Sequence, residues 1–454
     1  MVRKLLTACV LLCTMYVPAL RSAVPVTLDE AIQTAIRKNQ SIAIARLSIS
    51  KARAQRTEAL SGALPFVGVS ATYNYNVEAP VFFVPNFLNP QEGGMQPMRF
   101  GLNNSYNVAA TFNQVLFNSA VFTGIGAAAK YVGAATDQYR AAVADVVTET
   151  RRRFLAALAA REMAQIAQSA YNLASEHQKT VKTLFEQGMV AEYDLIRANV
   201  ALENIRPELT SARVGYKNAV AALMTYMNAD QTDTLEPQSV ELPEPGSVPD
   251  VNESTESALK HNYQLVAMES QLAVSDKLID VYRSGYYPTV SLIGQYGNSG
   301  QSDDFKDWVS ASQAFIGLNL SLNIFNGMRT ASQLDQATID YQTLGEHVDQ
   351  LKNLLRLQVS ASINELTSAR ERIIAQAGNV QQAERGYEIA KIRYAEGTGS
   401  QLEINDSQSA LTRAQVNRLG ALYDYYIRLA DFEKSIGKVP DKYIRYAEEI
   451  HGDS

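Results

Sequence analysis

The stretch LIRANVALENIRPELTSARVGYKNAVAALMTYMN, residues 195–228, decides the fold. Leu195, Ala198, Leu202, Ile205, Leu209, Ala212, Tyr216, Ala219, Leu223 and Tyr226 recur at alternating spacings of three and four, a heptad seam held over four repeats. That period belongs to a helix packed lengthwise on another helix. The partner is the run before it, where Ile166, Ala170, Leu173, His177, Thr180 and Leu184 keep the same spacing. Between the two lies Glu186-Gln187-Gly188-Met189-Val190-Ala191, whose glycine supplies the backbone freedom of a tight turn. An antiparallel helical hairpin is expected over Ser119 to Asn228. Pro207 should kink its return arm, because proline lacks the amide proton of a helix interior.

The arms are unequal. From Asn118 to Gly188 there are 70 residues, roughly 100 Å of helix at about 1.5 Å per residue, while the return arm, Glu192 to Asn228, is about half as long. A second short helix would complete it. Thr27-Leu28-Asp29-Glu30 is a capping box, and the helix it opens should run to about Ser61, where Gly62 and Pro65 stop it. Stacked end to end, the two short helices match the long one.

The arrangement then recurs. Ala35-Ile36-Arg37-Lys38-Asn39 matches Ala258-Leu259-Lys260-His261-Asn262 at an offset of 223, as Pro65 matches Pro288. Phe117-Asn118 matches Phe325-Asn326, and Gly188 matches Gly397. Asp250-Val251-Asn252-Glu253 is the second capping signal. The chain is a tandem duplication of one unit.

Each unit carries strands between its helices. Val67, Val69, Ala71, Tyr73, Tyr75 and Val77 alternate with Gly68, Ser70, Thr72, Asn74 and Asn76. Ile316, Leu318, Leu320, Leu322 and Ile324 alternate with Gly317, Asn319, Ser321 and Asn323. Weaker versions follow Val108 and Val290. Four strands are therefore expected at 66–77, 106–118, 289–298 and 313–325. Strands of about ten residues with one apolar face, and small uncharged residues on the other, suit a membrane barrel better than a soluble core. The first unit has an insert, Glu78 to Ser105, with Pro80, Pro85, Pro90, Pro97 and the apolar run Val81-Phe82-Phe83-Val84. The corresponding loop of the second unit is 15 residues shorter and holds Asp303, Asp304, Asp307 and Trp308.

Composition narrows the function. A chain of 454 residues with 46% apolar content buries a large core. Its net charge of −6 is dispersed, without a basic cluster for nucleic acid. Arg3 and Lys4, an apolar run from Leu5 to Val17 and Val17-Pro18-Ala19 read as a secretory leader over 1–19 that contains both cysteines, Cys9 and Cys13. Leu6-Thr7-Ala8-Cys9 resembles a lipoprotein site, but the apolar run before Cys9 is too short for one. No later stretch reaches the roughly 20 apolar residues of a spanning helix. His177, His261, His347 and His451 are far apart, and no phosphate-binding loop or nucleophile elbow occurs, so neither an enzyme nor a cofactor or metal is expected. The domains expected are a first repeat at 20–228, a connector at 229–250, a second repeat at 251–438 and a C-terminal tail at 439–454.

The second turn holds the most pointed constellation. Ser400-Gln401-Leu402-Glu403 reads as a capping box, with Glu403 and Asp406 three apart on one helix face. The first turn has Ala191-Glu192-Tyr193-Asp194, with Arg197 where the second has Asp406. By itself, acid at a helix start is ordinary.

These residues together resemble the TolC-like outer membrane efflux proteins over nearly the whole chain. The resemblance is carried by the duplication, the strand entries Leu64-Pro65-Phe66-Val67 and Tyr287-Pro288-Thr289-Val290, the Phe-Asn exits, and the turn from Phe185 to Asp194. It implies an α+β membrane protein of the Gram-negative outer membrane with a large periplasmic part. In it, a homotrimer closes a twelve-stranded barrel, four strands per protomer, continuous with a coiled-coil helical barrel. The physics agrees, since four strands alone leave edges bare in lipid. It also implies a periplasmic adaptor, through which an inner-membrane pump is reached. Gly188, Met189, Val190, Ala191, Gly397, Thr398, Gly399 and Ser400 would be the docking turns, and Glu403, Asp406, Asp194 and Tyr394 the periplasmic entrance. The family prototype has an arginine where this chain has Gly399, leaving Tyr394 and Asp194 as latch partners. The competing reading is an exported coiled-coil scaffold or an adaptor without a pore; an adaptor would show a single hairpin flanked by short β domains of lipoyl type, and a scaffold would be soluble after lysis.

Overall fold

In a computed structural model of the chain, which describes residues 24–78, 81–85, 94–99, 101–230, 235–240, 242 and 244–452, each repeat opens with two helices where one was expected. The expected leader lies outside the described residues, as do Pro80 and Pro90 of the insert. After a short strand β1 (Val24–Val26), α1 (Leu28–Lys38) and α2 (Gln40–Ser61) are separated at Asn39, whose ψ of 133° is extended. Asn39 Oδ1 accepts from the Ser41 amide at 2.8 Å, so the side chain ends one helix and caps the next, the competition with backbone that makes asparagine poor in helix interiors. The second repeat repeats the break. α5 (Val251–His261) and α6 (Tyr263–Arg283) part at Asn262, whose Oδ1 accepts from Gln264 and Leu265.

The elements between and after complete two matching series. The first repeat continues with β2 (Phe66–Tyr75), β3 (Val81–Pro85), β4 (Met95–Arg99), β5 (Asn104–Asn118), α3 (Ser119–Glu186), α4 (Glu192–Met227) and β6 (Leu235–Pro237). The second continues with β7 (Thr289–Ser302), β8 (Val309–Ser321), α7 (Arg329–Ala395), α8 (Gln401–Ser435) and α9 (Asp441–Gly452). The chain divides into two units.

One unit comprises Ser48–Asp137 and Ala267–Asp349 and contains the main sheet. Its order is β2-β5-β7-β8, antiparallel throughout. The register puts Val67, Val69 and Ala71 on the same face as Phe112, Ala110 and Val108, and carries that face across Gly294 and Leu292 to Ile316, Leu318 and Leu320. The other face holds Ser70, Thr72, Thr111, Asn107, Gln295, Ser299, Gln313 and Asn319. None of the four strands carries a charge. Their limits differ from the expected ones: β8 starts at Val309 and stops at Ser321, leaving Leu322 and Ile324 outside it, because the alternating pattern runs on into the turn formed by Gly327 and Met328 at positive φ. The Phe-Asn exits prove to be helix starts. Asn118 Oδ1 accepts from the Ala120 and Val121 amides, and Asn326 Nδ2 donates to Thr330 Oγ1 at 2.7 Å. The insert carries a hairpin of its own, β3 against β4.

The other unit gathers the described residues up to Leu47, Gln138–Val266 and Gln350–Ser454. The heptad of α4 is observed as read: Ala198, Leu209 and Leu223 are buried and the other seam residues half-buried, while Glu203, Arg206 and Arg213 are exposed. α4 runs unbroken through Pro207. On α3 the reading slips once. Thr180 is exposed and Val181 is fully buried, since a straight helix drifts from a strict seven-residue repeat and four residues, not three, bring the seam back after His177. Gln178 Nε2 donates to Asn199 Oδ1, and Arg213 to Gln168, fixing the arms antiparallel. The second hairpin is fixed by Arg372 on Asp424 and Arg428 on Glu365.

End-to-end stacking of the short helices is visible at the breaks. Asn39 Nδ2 donates to Tyr226 O at 2.8 Å and Asn228 Nδ2 to Lys38 O at 3.2 Å; Asn262 Nδ2 donates to Ser435 O at 3.0 Å. The pieces read only as a connector and a tail each contain a regular element. Within the connector, β6 pairs in parallel with β1, and in the tail α9 is held by Lys442 and Tyr443 on Asp29, Tyr139 on the Ala447 carbonyl and Arg140 on Glu448. The Asp29 carboxyl is held below its usual range, chiefly by the Lys442 hydrogen bond.

Candidate functional site

Both hairpin turns are closed by the same backbone device. Gly188, with φ +73°, follows α3: its amide reaches Phe185 O at 2.9 Å, and the Met189 amide reaches Leu184 O at 2.8 Å. Gly397, with φ +76°, does the same with Tyr394 O at 3.0 Å and, through Thr398, Arg393 O at 2.9 Å. This paired arrangement needs a left-handed residue, which is why glycine stands at both positions. Met189 projects from the first turn, 70% exposed, and Ala191 precedes α4 without a side-chain cap.

The second turn is the tighter one. Ser400 Oγ accepts from the Glu403 amide at 3.3 Å, but the expected capping box is only half formed. The Glu403 carboxylate turns instead to Arg393 Nη1, 3.3 Å away, and Arg393 also reaches the Thr398 carbonyl. Both partners are about half exposed, so the pair contributes no more than about 1 kcal/mol, but it lowers the charge the entrance would carry. Gly399 lies against Arg393: a Cβ there would stand 3.0 Å from Arg393 Cβ and from the Tyr394 amide nitrogen. A side chain at that position would force this turn to give by a few tenths of an ångström, and the Arg393 guanidinium of the preceding helix already lies against Glu403.

Of the other residues expected at the entrance, Asp406 is exposed and Asp194 half-buried. The structure brings Asp194 and Tyr394 near each other without joining them. Burial first, and the Asp194 charge second, push the Tyr394 hydroxyl above its ordinary range, yet that hydroxyl finds no hydrogen-bond partner among the described residues. Tyr394 packs against a core of Tyr387, Ala390, Ile404 and Leu411, shared with Leu173 of α3, and its ring meets His177 edge-on at 5.3 Å. Arg393, His177 and Gln401 were not singled out from sequence as site residues. The signal available for Arg393 was its opposite sign to Glu403 across a short turn.

Among the described residues no helix is long and apolar enough to cross a membrane, and no cluster of His, Cys, Asp and Glu could hold a metal ion. The sheet leaves its apolar face open, with Ile316 75% and Leu320 70% exposed.

Comparison with known proteins gives one family. The family model described as outer membrane efflux protein matches residues 31–229 and 255–438, so each match covers one repeat. The outer membrane protein TolC of Vibrio cholerae is 20% identical over 396 residues, covering 85% of each chain. The protein CyaE of Bordetella pertussis is 24% identical over 312 residues, 66% of this chain and 64% of that one. Among solved structures, the Campylobacter jejuni CmeC outer membrane channel superposes with a TM-score of 0.75 at 20% identity, covering 93% of this chain and 89% of the other. The open state of the Neisseria gonorrhoeae MtrE channel gives 0.69 at 18% identity, covering 90% and 88%.

Proposed function

This chain belongs to the outer membrane efflux protein family, and from that premise we propose that three copies form an exit duct. Each copy contributes four strands to a barrel of twelve, and the helical hairpins lie in the periplasm. There the turns at Gly188, Met189, Val190 and Ala191, and at Gly397, Thr398, Gly399 and Ser400, meet a periplasmic adaptor that connects the duct to an inner-membrane pump. Glu403, Asp406, Asp194 and Tyr394 surround the entrance, with Arg393 neutralising part of its charge.

One observation supports this most strongly: the uncharged four-stranded sheet ends in two edge strands, β2 and β8, whose outer edges have no partner strand among the described residues, and it exposes its apolar face. Unpaired backbone is unstable in lipid and an open apolar face is unstable in water, so closure with further copies in a bilayer satisfies both. The apolar face then meets lipid and the face of Ser, Thr, Asn and Gln lines the lumen.

The test is purification from outer membranes, native mass spectrometry in detergent and recording in planar bilayers. The expected result is three chains per particle and discrete conductance steps. A monomer recovered in the soluble fraction after lysis, with no conductance, would sink the proposal.

A further inference from the structure

The two hairpins of one chain meet along a seam whose register is fixed by Gln408 of α8 donating to Ala170 O of α3 at 2.9 Å. Seven residues toward the turns on α3 stands His177, and seven residues toward the turns on α8 stands Gln401, so the antiparallel seam sets the two at one level. Tyr394 of α7 closes the group from the third side, ring to ring with His177. His177 Nε2, the Tyr394 hydroxyl and both amide atoms of Gln401 are sealed from solvent, and none finds a hydrogen-bond partner among the described residues. Gln401 is only 4% exposed. Around them are Leu173, Ala390 and Ile404.

We propose that His177 is an acid-sensitive contact between the two hairpins, and that its protonation loosens the second hairpin from the first and opens the periplasmic end of the duct. The opening rests on the channel reading above; the loosening of the seam does not. A charge placed on this imidazole would sit among apolar side chains without a carboxylate to receive it. Among the described residues, the charged groups on the surrounding elements act on its neighbours rather than on His177. On α7, Arg393 is paired with Glu403 of α8. Glu388 of α7 and Glu176 of α3 act on Tyr387, and Asp194 of α4 acts on Tyr394. Burial alone moves His177, and it moves it below the ordinary histidine value. With the packed-state value depressed, the open seam binds more protons than the closed one. The closed seam is therefore fully stable above about pH 6.5 and loses stability as pH falls through and below that value. Carboxylates of ordinary strength titrate lower, near pH 4, and do not contribute in this window.

Hydrogen exchange on the intact protein tests this. Between about pH 7.5 and about pH 5.5, after correction for intrinsic rates, exchange of residues 387–411 should quicken, by at most roughly tenfold, the ceiling that an ordinary imidazole near pH 6.5 in the open seam sets at the lower pH. His177→Gln and His177→Phe should remove that acceleration. An unchanged rate in the wild type, or the same acceleration in His177→Gln, overturns the proposal. Should neither variant assemble, histidine-selective NMR of the wild type decides. One of the four imidazoles must titrate below the ordinary range in step with the exchange, and four ordinary titrations overturn it. Bilayer recording separates the two readings. Conductance that fails to rise with acid while the seam loosens removes the gating role alone, and no conductance at either pH removes the duct.

Discussion

At the scale of single residues, the duplication is not symmetric where the short helices join. Asn228 and Gly437 hold corresponding places, both in left-handed backbone at the end of a return helix. Asn228 donates across the joint to the Lys38 carbonyl, whereas a Cβ at Gly437 would stand 2.1 Å from the His261 carbonyl oxygen. Exchanging the two is therefore expected to be lopsided. Asn228→Gly loses one exposed hydrogen bond and should cost less than about 1 kcal/mol. Gly437→Asn keeps the left-handed conformation, which asparagine tolerates, but forces backbone apart and should cost roughly 1–3 kcal/mol. Thermal unfolding of the two variants measures the difference; equal losses would show that the joint relaxes freely. The joints also mark a limit of sequence reading. Asn39 and Asn262 were visible as a repeated motif, but an asparagine inside a helical period is usually just tolerated, and only the carbonyls of Tyr226 and Ser435, far along the chain, reveal that these two end their helices. Likewise the seven-residue spacing marked Thr180, and the drift of a straight helix handed the position to Val181.

At the scale of elements, helices were legible wherever apolar residues recurred for several turns, and strands wherever alternation lacked charge. The hairpin of β3 and β4 was not legible, because Pro85 and Pro97 mask its alternation, and neither was β6, three residues long. The orientation of β8 follows from its register: Leu320 shares a face with Ile316 and Leu318, and Asn319 points the other way. Leu320→Arg should lower the stability of the assembled protein by about 2–4 kcal/mol, while Asn319→Arg should leave assembly intact. Heat dissociation of the oligomer on gels compares them, and the reverse order would invert the sheet. The turns yield a second prediction. Gly188→Leu or Gly397→Leu places a bulky residue in left-handed backbone at a cost of roughly 1 kcal/mol or more, too little to unfold helices of this length. Export in cells should fail while the protein remains in the outer membrane at normal level. Loss of the protein itself would mean the turns serve folding rather than docking.

At the scale of the whole assembly, the threefold repetition of the proposed trimer would multiply any charge at its entrance. Glu403 is paired with Arg393, which leaves Asp406 and Asp194 to carry the net charge of the proposed entrance. Arg393→Ala should increase the preference for cations, and Glu403→Ala with Asp406→Ala should reduce it, as focused potential in a confined opening requires. Reversal potentials under a salt gradient measure both; no change in either variant would retire the acidic entrance. The sequence showed the two carboxylates but not their balance, since side chains ten residues apart across a turn meet only if the turn is pinched, and the pinch comes from Gly399. The polar face of the sheet has a different consequence. In the proposed duct, hydroxyls, amides and bare glycine backbone, with Phe66, Ile293 and Phe315 among them, would offer a passing solute weak contacts and no ion to exchange with, so residence along that stretch should be short and nearly independent of the solute's sign. A conduit of that kind would leave recognition to whatever loads it, and the proposed duct could then serve chemically unrelated cargoes without changing its wall.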